Sequence, residues 1–123
     1  MKFFVSGKFE DRQNVSKLMD KIQGLGHAIT YDWTIDEEVD EGYPVLNTIN
    51  DLKGVQICDT LACRFIEENN YRGSLVELGI ALGLHKRICV IGHGADKCIF
   101  VNHPNVQRFE TEYEFLSYVR QAL

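Results

Sequence analysis

The chain has 123 residues, of which 45% are hydrophobic and 25% charged, and its formal net charge is −5. This composition fits one domain over residues 1–123 with a buried core, and its acidic balance argues against binding of polymeric nucleic acid. No apolar run approaches the ~20 residues of a membrane span, and MKFFVSG becomes polar too soon for a signal peptide, so we expect a cytoplasmic protein without a membrane partner.

The cysteines show no CxxC spacing, and two of them, Cys63 and Cys89, lie in apolar runs. A free cysteine in such a run behaves as a small hydrophobic residue. We therefore expect reduced thiols rather than a metal site or a redox site at Cys58, Cys63, Cys89 and Cys98.

In the first part of the chain, the segment KFFVSG predicts a buried strand, and a helix follows from Asp11, which is placed to cap it. The apolar residues of this helix recur at helical spacing: Val15, Leu18, Met19, Ile22 and Leu25. GLGH supplies a glycine stop, and HAITYDW predicts a second strand. TIDEEVDEGYP reads as an exposed acidic loop; without EF-hand spacing, a solvated loop is favoured over a cation site.

The second half of the chain continues the alternation. A second helix is marked by Val45, Leu46, Ile49, Leu52 and Val55. TLACRF predicts a third strand, within which the charge of Arg64 has no evident role. A third helix is predicted from Gly73 to Leu84, with RICVIG and VQRF as the fourth and fifth strands. The closing helix begins with Thr111 and Glu114 at the spacing of a capping box.

This order, βαβαβαβαβ, predicts an α/β fold: a doubly wound, five-stranded parallel sheet with helices on both faces, of the flavodoxin or Rossmann-like type. In such sheets ligands bind beyond the carboxyl ends of the strands, near the point where the strand order reverses. Function is therefore sought in the segments that follow the strands: Ser6–Arg12, Trp33 onward, Phe65–Glu77 and Gly92 onward.

The segment VSGKFEDR lies at the first of these places. GxGxxG and GxxxxGK[ST] are both absent from the sequence, so neither nucleotide-binding motif applies. Ser6, Gly7 and Lys8 offer a chemistry that holds a phosphate or a sugar hydroxyl. A glycine turn with surface Lys and Arg side chains is an equally weighted alternative.

Glu77 is a carboxylate in a helix that is otherwise apolar nearly all round, which indicates burial against the sheet and against a second subunit. A carboxylate near a helix start is favoured by the helix dipole, and this helix start faces the predicted crevice. Two interpretations stay open on these grounds. Glu77 is either a functional group or a structural acid that caps the helix or pairs with Arg72 or Lys8.

Three segments, in order, resemble the nucleoside 2-deoxyribosyltransferase family. FEDRQN is similar to the family's FxDRQN, NDLKGV to NDLxGI, and GSLVELGIALGLHKRICVI to GxxxELGxAxxxxKxI. The likeness spans nearly the whole chain. The same superfamily includes hydrolases of 2′-deoxynucleoside 5′-monophosphates. The resemblance therefore does not by itself distinguish transfer of the sugar to a base from transfer to water.

The resemblance implies that Glu77 is the nucleophile of a retaining double displacement and forms a covalent deoxyribosyl ester. It implies that Asp51, the aspartate of NDLxGI, protonates or hydrogen-bonds the leaving base. It further implies a small deoxynucleoside or deoxynucleotide substrate and no metal or organic cofactor. We expect a homodimer or a higher homo-oligomer.

The sequence departs from the family at two places. Phe3 beside Phe4 stands where the family has a tyrosine that orients the glutamate, and Tyr71 stands where it has an aspartate that binds sugar hydroxyls. A nucleotide-binding module without turnover is therefore a rival interpretation, and a purely structural or interaction domain is a third.

The remaining candidates are substrate contacts. Cationic and hydroxyl groups near the first strand and the third helix would meet a 5′-phosphate: Ser6, Lys8, Arg12, Arg72 and Ser74. Gly73 and Tyr71 are further candidates for contact with the substrate. Trp33 either stacks on a base or belongs to the core. Asn102 and His103 lie where family members complete a neighbour's site, and a plain surface loop is equally weighted there. His85, at the end of the third helix, occupies a position expected to be left-handed.

Overall fold

The computed structural model describes residues 1–36 and 45–123. Most of the predicted acidic loop, TIDEEVDEGYP, lies outside these described residues.

Helices and strands alternate along the described chain. The strands are β1 (Lys2–Ser6), β2 (Ala28–Ile29), β3 (Thr60–Arg64), β4 (Arg87–Ile91) and β5 (Val106–Phe109). The α-helices are α1 (Arg12–Gly24), α2 (Val45–Ile57), α3 (Arg72–Gly83) and α4 (Glu112–Ala122). Short 3₁₀ turns cover Phe9–Asp11, Trp33–Ile35 and Ile99–Asn102.

The described strands form one five-stranded sheet in the order β2-β1-β3-β4-β5, and every neighbouring pair is parallel. This confirms the predicted doubly wound α/β architecture. Two details differ from prediction. β2 is only two residues long, and β4 joins β5 through a 3₁₀ turn instead of an α-helix. The 14 residues between Ile91 and Val106 are long enough for a parallel crossover without one.

Two apolar cores lie on the two faces of the sheet. One packs α2 and α3 against the sheet and includes Phe4, Val55, Leu61, Phe65, Leu78 and Ala81. The other packs α1 and α4 and includes Phe3, Val5, Leu18, Ile22, Phe109 and Phe115. The four cysteines form no disulfide in the structure; Cys58, Cys63 and Cys89 are buried and Cys98 is partly exposed.

Gly54 explains how α2 sits so close to β1. A Cβ atom at this position would lie 2.8 Å from the Phe4 ring and 3.1 Å from Cβ of Tyr31. The glycine therefore allows the helix backbone to approach the sheet more closely than any other residue would. Asp51 lies one turn earlier on the same helix face, so this contact also fixes its distance from the sheet.

The charge of Arg64, unexplained by the sequence, is accounted for by two partners. Its guanidinium donates to Asp11 and, at 2.7 Å, to Oε2 of Glu112. The expected cap by Asp11 is wrong: its side chain makes no cap bond to α1, because it is held by Arg64 and by Nδ2 of Asn14.

Two further predictions concern the start of α4 and a residue just after the end of α3. Thr111 caps α4 as predicted, accepting from the Glu114 amide at 3.1 Å. The Glu114 carboxylate reaches the Glu110 amide instead of that of Thr111, so the capping box is only half formed. His85 has a φ of 57°, which confirms the predicted left-handed position. No helix of the described residues is long and apolar enough to cross a membrane.

Candidate active site

A cavity of about 690 Å³ opens at the carboxyl ends of β1 and β3. The strand order reverses between these two strands, which is where a doubly wound sheet binds its ligand. Among the described residues its lining comprises Gly7, Lys8, Phe9, Glu10, Trp33, Thr48, Asp51, Leu52, Asn69, Asn70, Tyr71, Arg72, Gly73, Ser74, Val76, Glu77 and Ile80. Most of the predicted site residues are therefore brought together.

Glu77 lies on the second turn of α3 and lines the cavity. Its Oε1 accepts a hydrogen bond of 2.7 Å from Oγ of Ser6, the last residue of β1. Burial raises the pKa of Glu77 from 4.5 to about 7; the Ser6 hydrogen bond opposes this rise, and the charge of Asp51 adds to it. The alternative pairing with Lys8 is not formed, because Lys8 binds Glu67.

Asp51 faces the same cavity from α2. Its Oδ1 is buried and has no hydrogen-bond partner in the part of the chain that the structure describes. Burial, together with the charge of Asp36, raises its pKa from 3.8 to about 6. Asp36 is itself held by the Tyr31 hydroxyl, which donates to both of its carboxylate oxygens at 2.7 Å. The cavity thus holds two carboxyl groups that share a tendency to keep a proton near neutral pH.

The start of α3 forms one rim of the cavity. Arg72, Gly73 and Ser74 line it, and Ser74 Oγ donates to the Gly7 carbonyl at 3.1 Å, which joins the helix start to the loop after β1. The first amides of a helix and an arginine attract an anion. This rim is therefore suited to a phosphate.

Lys8 and Tyr71 line the cavity with their polar atoms already engaged. Lys8 Nζ lies 2.7 Å from Oε2 of Glu67. The Tyr71 hydroxyl donates to the Glu67 carbonyl at 2.6 Å, and its ring packs on Phe65 with centroids 4.4 Å apart. Burial raises the Tyr71 pKa to about 12. Tyr71 thus anchors the segment that leads into α3, and its left-handed φ of 49° begins that helix.

Trp33 fits both interpretations made for it. Its indole Nε1 donates to the Val5 carbonyl at 2.7 Å, and its side chain packs against both cores while also lining the cavity. The ring is thereby held in place as part of the cavity wall.

Three predicted residues do not line the cavity. The Arg12 guanidinium lies 4.4 Å from the centroid of the Phe9 ring and donates to the Phe9 carbonyl. Asn102, in the segment between β4 and β5, accepts from Arg108 at 3.2 Å. Ser6 lies behind the lining and contacts the site through Glu77.

Sequence reasoning missed several lining residues: Phe9, Glu10, Thr48, Leu52, Asn69, Asn70, Val76 and Ile80. Thr48 and Leu52 share a helix face with Asp51, so the spacing around NDLKGV carried a signal for them. Asn69 and Asn70 follow β3 at the predicted edge of the sheet, and their polarity was a second signal. In the described residues no three His, Cys, Asp or Glu side chains are grouped to hold a metal ion.

No protein-family model matches this chain, and neither does any curated protein sequence. Solved structures do match. The 2-deoxyribosyltransferase of Bacillus psychrosaccharolyticus has 18% identity and a TM-score of 0.77, over 96% of this chain and 92% of that one. The CMP N-glycosidase of Clostridium botulinum has 16% identity and a TM-score of 0.67, over 97% and 98%.

A 2-deoxyribosyltransferase from Leishmania mexicana has 13% identity and a TM-score of 0.73, over 99% of both chains. At such identities the likeness concerns the path of the backbone. It confirms the fold that the sequence motifs implied: this chain has the doubly wound α/β fold of the 2-deoxyribosyltransferase and N-glycosidase structures.

Proposed function

We propose that this protein cleaves the N-glycosidic bond of a nucleoside or a nucleoside 5′-monophosphate, with Glu77 as nucleophile and Asp51 as general acid. One observation carries the proposal. Two carboxyl groups with raised pKa values line a single cavity at the switch point of the sheet, and one of them is held by a buried hydroxyl.

In the first step the bond between C1′ of the sugar and the base nitrogen breaks, and its electron pair leaves with the base. Asp51, whose carboxyl has a pKa raised by burial, gives its proton to the departing base. The ionised Glu77 stabilises the oxocarbenium-like sugar and then bonds to C1′ as a glycosyl ester.

In the second step the Asp51 carboxylate takes a proton from water, whose oxygen bonds to C1′ while the bond to Glu77 breaks. A second base reacts in the same way when the protein acts as a transferase. Each step inverts C1′, so the product retains the original configuration. Neither step needs a group beyond the two carboxyls and the acceptor.

The rim of the cavity and the structural neighbours support a proposal about the sugar and the phosphate state of the substrate. A 2-deoxyribosyltransferase and a CMP N-glycosidase share this fold, so both deoxyribose and ribose belong among the candidates. Arg72 and the amides of the α3 start favour a 5′-monophosphate over a free nucleoside. Water is then the favoured acceptor, and the hydrolase the favoured reaction.

Mass spectrometry of the intact protein after mixing with deoxycytidine, dCMP and CMP tests this proposal. We expect a sugar adduct on the wild-type protein and its absence from Glu77→Gln. The substrate that yields the adduct identifies the sugar and its phosphate state. Free base released in molar excess over the protein, without an added base as acceptor, identifies a hydrolase.

The same experiment addresses the rival interpretation. If calorimetry detects binding of dCMP or CMP while no adduct forms and no base is released, the protein is a nucleotide-binding module and the catalytic proposal is wrong. The panel therefore includes adenine, guanine and thymine nucleotides as well, because an aromatic side chain such as Trp33 in the cavity wall can stack on any base.

A further inference from the structure

Ser6 was predicted from the sequence to contact substrate, but the structure puts its hydroxyl elsewhere. The residue is fully buried at the end of β1, and its Oγ donates to Oε1 of Glu77 at 2.7 Å. A hydroxyl that donates to one carboxylate oxygen leaves the other oxygen free to react.

The hydroxyl is carried by a rigid part of the fold. β1 lies inside the sheet between β2 and β3, and Ser6 is in register with Cys63 of β3. A serine side chain has one heavy-atom torsion, whereas the Glu77 side chain has three. The sheet thus fixes the hydroxyl, and the hydroxyl restricts the glutamate.

No aromatic hydroxyl on β1 performs this task, because Phe3 and Phe4 have no polar side-chain atom. The other titratable groups that face Glu77 in the described chain are Asp51 on α2 and the buried Cys63 thiol on β3. Neither forms a hydrogen bond with Glu77 among the described residues, where the Ser6 hydroxyl is the donor to its carboxylate.

We propose that Ser6 is a positioning residue, which fixes the Glu77 carboxylate for attack on C1′ and does not bind substrate. This inference rests on the proposed function, since it assigns Ser6 a part in that same reaction. The hydrogen bond also favours the charged form of Glu77, which opposes the effect of burial on its pKa.

The test compares Ser6→Ala, Ser6→Thr and the control Thr60→Val. Ser6→Ala removes one oxygen atom from a buried strand. Thr60 is also fully buried in the sheet, at the start of β3, and its hydroxyl has no partner among the described residues. Thr60→Val therefore removes a buried strand hydroxyl without touching Glu77.

With the nucleotide that forms the adduct, we expect Ser6→Ala to lower kcat by about tenfold to a hundredfold, the worth of a hydrogen bond to a charged group, with KM little changed. The acid limb of the pH–rate profile should move to higher pH. Ser6→Thr should retain most of the activity and Thr60→Val all of it. A raised KM with unchanged kcat in Ser6→Ala would instead make Ser6 a substrate contact and overturn the proposal.

A second measurement does not need turnover. Carbon-13 NMR of glutamate-labelled protein, with Glu77→Gln to assign the signal, gives the Glu77 titration in each variant. We expect its pKa to rise in Ser6→Ala and to stay in place in Thr60→Val. An unchanged pKa overturns the role of Ser6 even if the enzyme is active. Absence of the sugar adduct from the wild-type protein would instead overturn the proposed function.

Discussion

The burial of Glu77 makes the stability of the folded protein depend on pH. A raised pKa means that the folded protein holds this proton more tightly than the unfolded chain does. Between pH 4.5 and about 7 the folded state therefore binds more protons, and its stability falls as the pH rises. The full shift corresponds to about 3 kcal/mol of destabilisation once the group is ionised.

Glu77→Gln should separate these two effects. We expect it to lower kcat by at least about a thousandfold, because both the charge and the nucleophile are lost. We also expect a higher Tm than the wild type at pH 8, where the wild type carries the buried charge, and nearly the same Tm at pH 5. Thermal unfolding at the two pH values and a rate assay on the same preparation provide the measurements. A variant that is less stable but fully active would show that Glu77 is a structural acid.

The proposed preference for a 5′-phosphate depends on Arg72, and this dependence can be measured. It lines the cavity beside the first turn of α3, whereas Arg87 lies at the start of β4 and donates to the Tyr118 hydroxyl at 3.3 Å. We expect Arg72→Gln to weaken dCMP binding by about tenfold or more and to leave deoxycytidine binding unchanged, with Arg87→Gln as control. Calorimetric titration of each variant with dCMP and with deoxycytidine measures these affinities. Equal affinity of the wild type for dCMP and deoxycytidine would favour the transferase instead.

The sequence motifs predicted Glu77 and Asp51 as site residues. The segments around them were predicted because ligands of doubly wound sheets bind beyond the carboxyl ends of the strands. Sequence reasoning did not identify Ser6 as the partner of Glu77, because the two residues are 71 positions apart in the sequence and meet only where the end of β1 lies beside α3. The position of the Arg12 side chain could not be predicted either, because its stacking on Phe9 depends on the geometry of the 3₁₀ turn.

Among the elements, the apolar runs predicted every strand, and their spacing predicted the helices. The second strand shows why the length of a strand was harder to predict than its position. HAITYDW has the composition of a strand, but Asp32 accepts a hydrogen bond from the Thr34 amide at 2.9 Å and starts a 3₁₀ turn. Pairing with β1 therefore stops at Ile29, and a local side-chain bond overrides the strand preference.

The contact between α2 and β1 yields a prediction about Gly54. A methyl group there would press on the Phe4 ring, which is fully buried and has no room to move. We expect Gly54→Ala to lower the free energy of unfolding by about 1–3 kcal/mol and to reduce kcat, because α2 carries Asp51. Gly24→Ala, where nothing lies within 4 Å, should be neutral or stabilising. Urea unfolding of the two variants measures this difference. If Gly54→Ala and Gly24→Ala are equally stable, α2 has space to shift.

At the scale of the whole molecule, α2 and α3 carry large apolar side chains that the other described residues leave exposed. Val45, Leu46 and Ile49 on α2 are 55–67% exposed, and Val76 on α3 is 64% exposed. The sequence had assigned the apolar excess to α3, but the larger share belongs to α2. Exposed apolar patches on soluble proteins mark interaction surfaces, and a symmetric pair of copies is the commonest solution.

We therefore expect a homodimer in which the α2 and α3 faces of two copies pack together, and Ile49→Asp should convert it to a monomer by placing a charge in the buried contact. Tyr113→Asp is the matched control, since Tyr113 is 78% exposed on α4, on the other face of the sheet. Light scattering at micromolar concentration should give twice the 14.1 kDa chain mass for the wild type and the control. Leu52 and Val76 border both this face and the cavity, so loss of the dimer should also raise KM. A monodisperse wild-type monomer with full activity would show that each copy works alone and that the apolar face serves another partner.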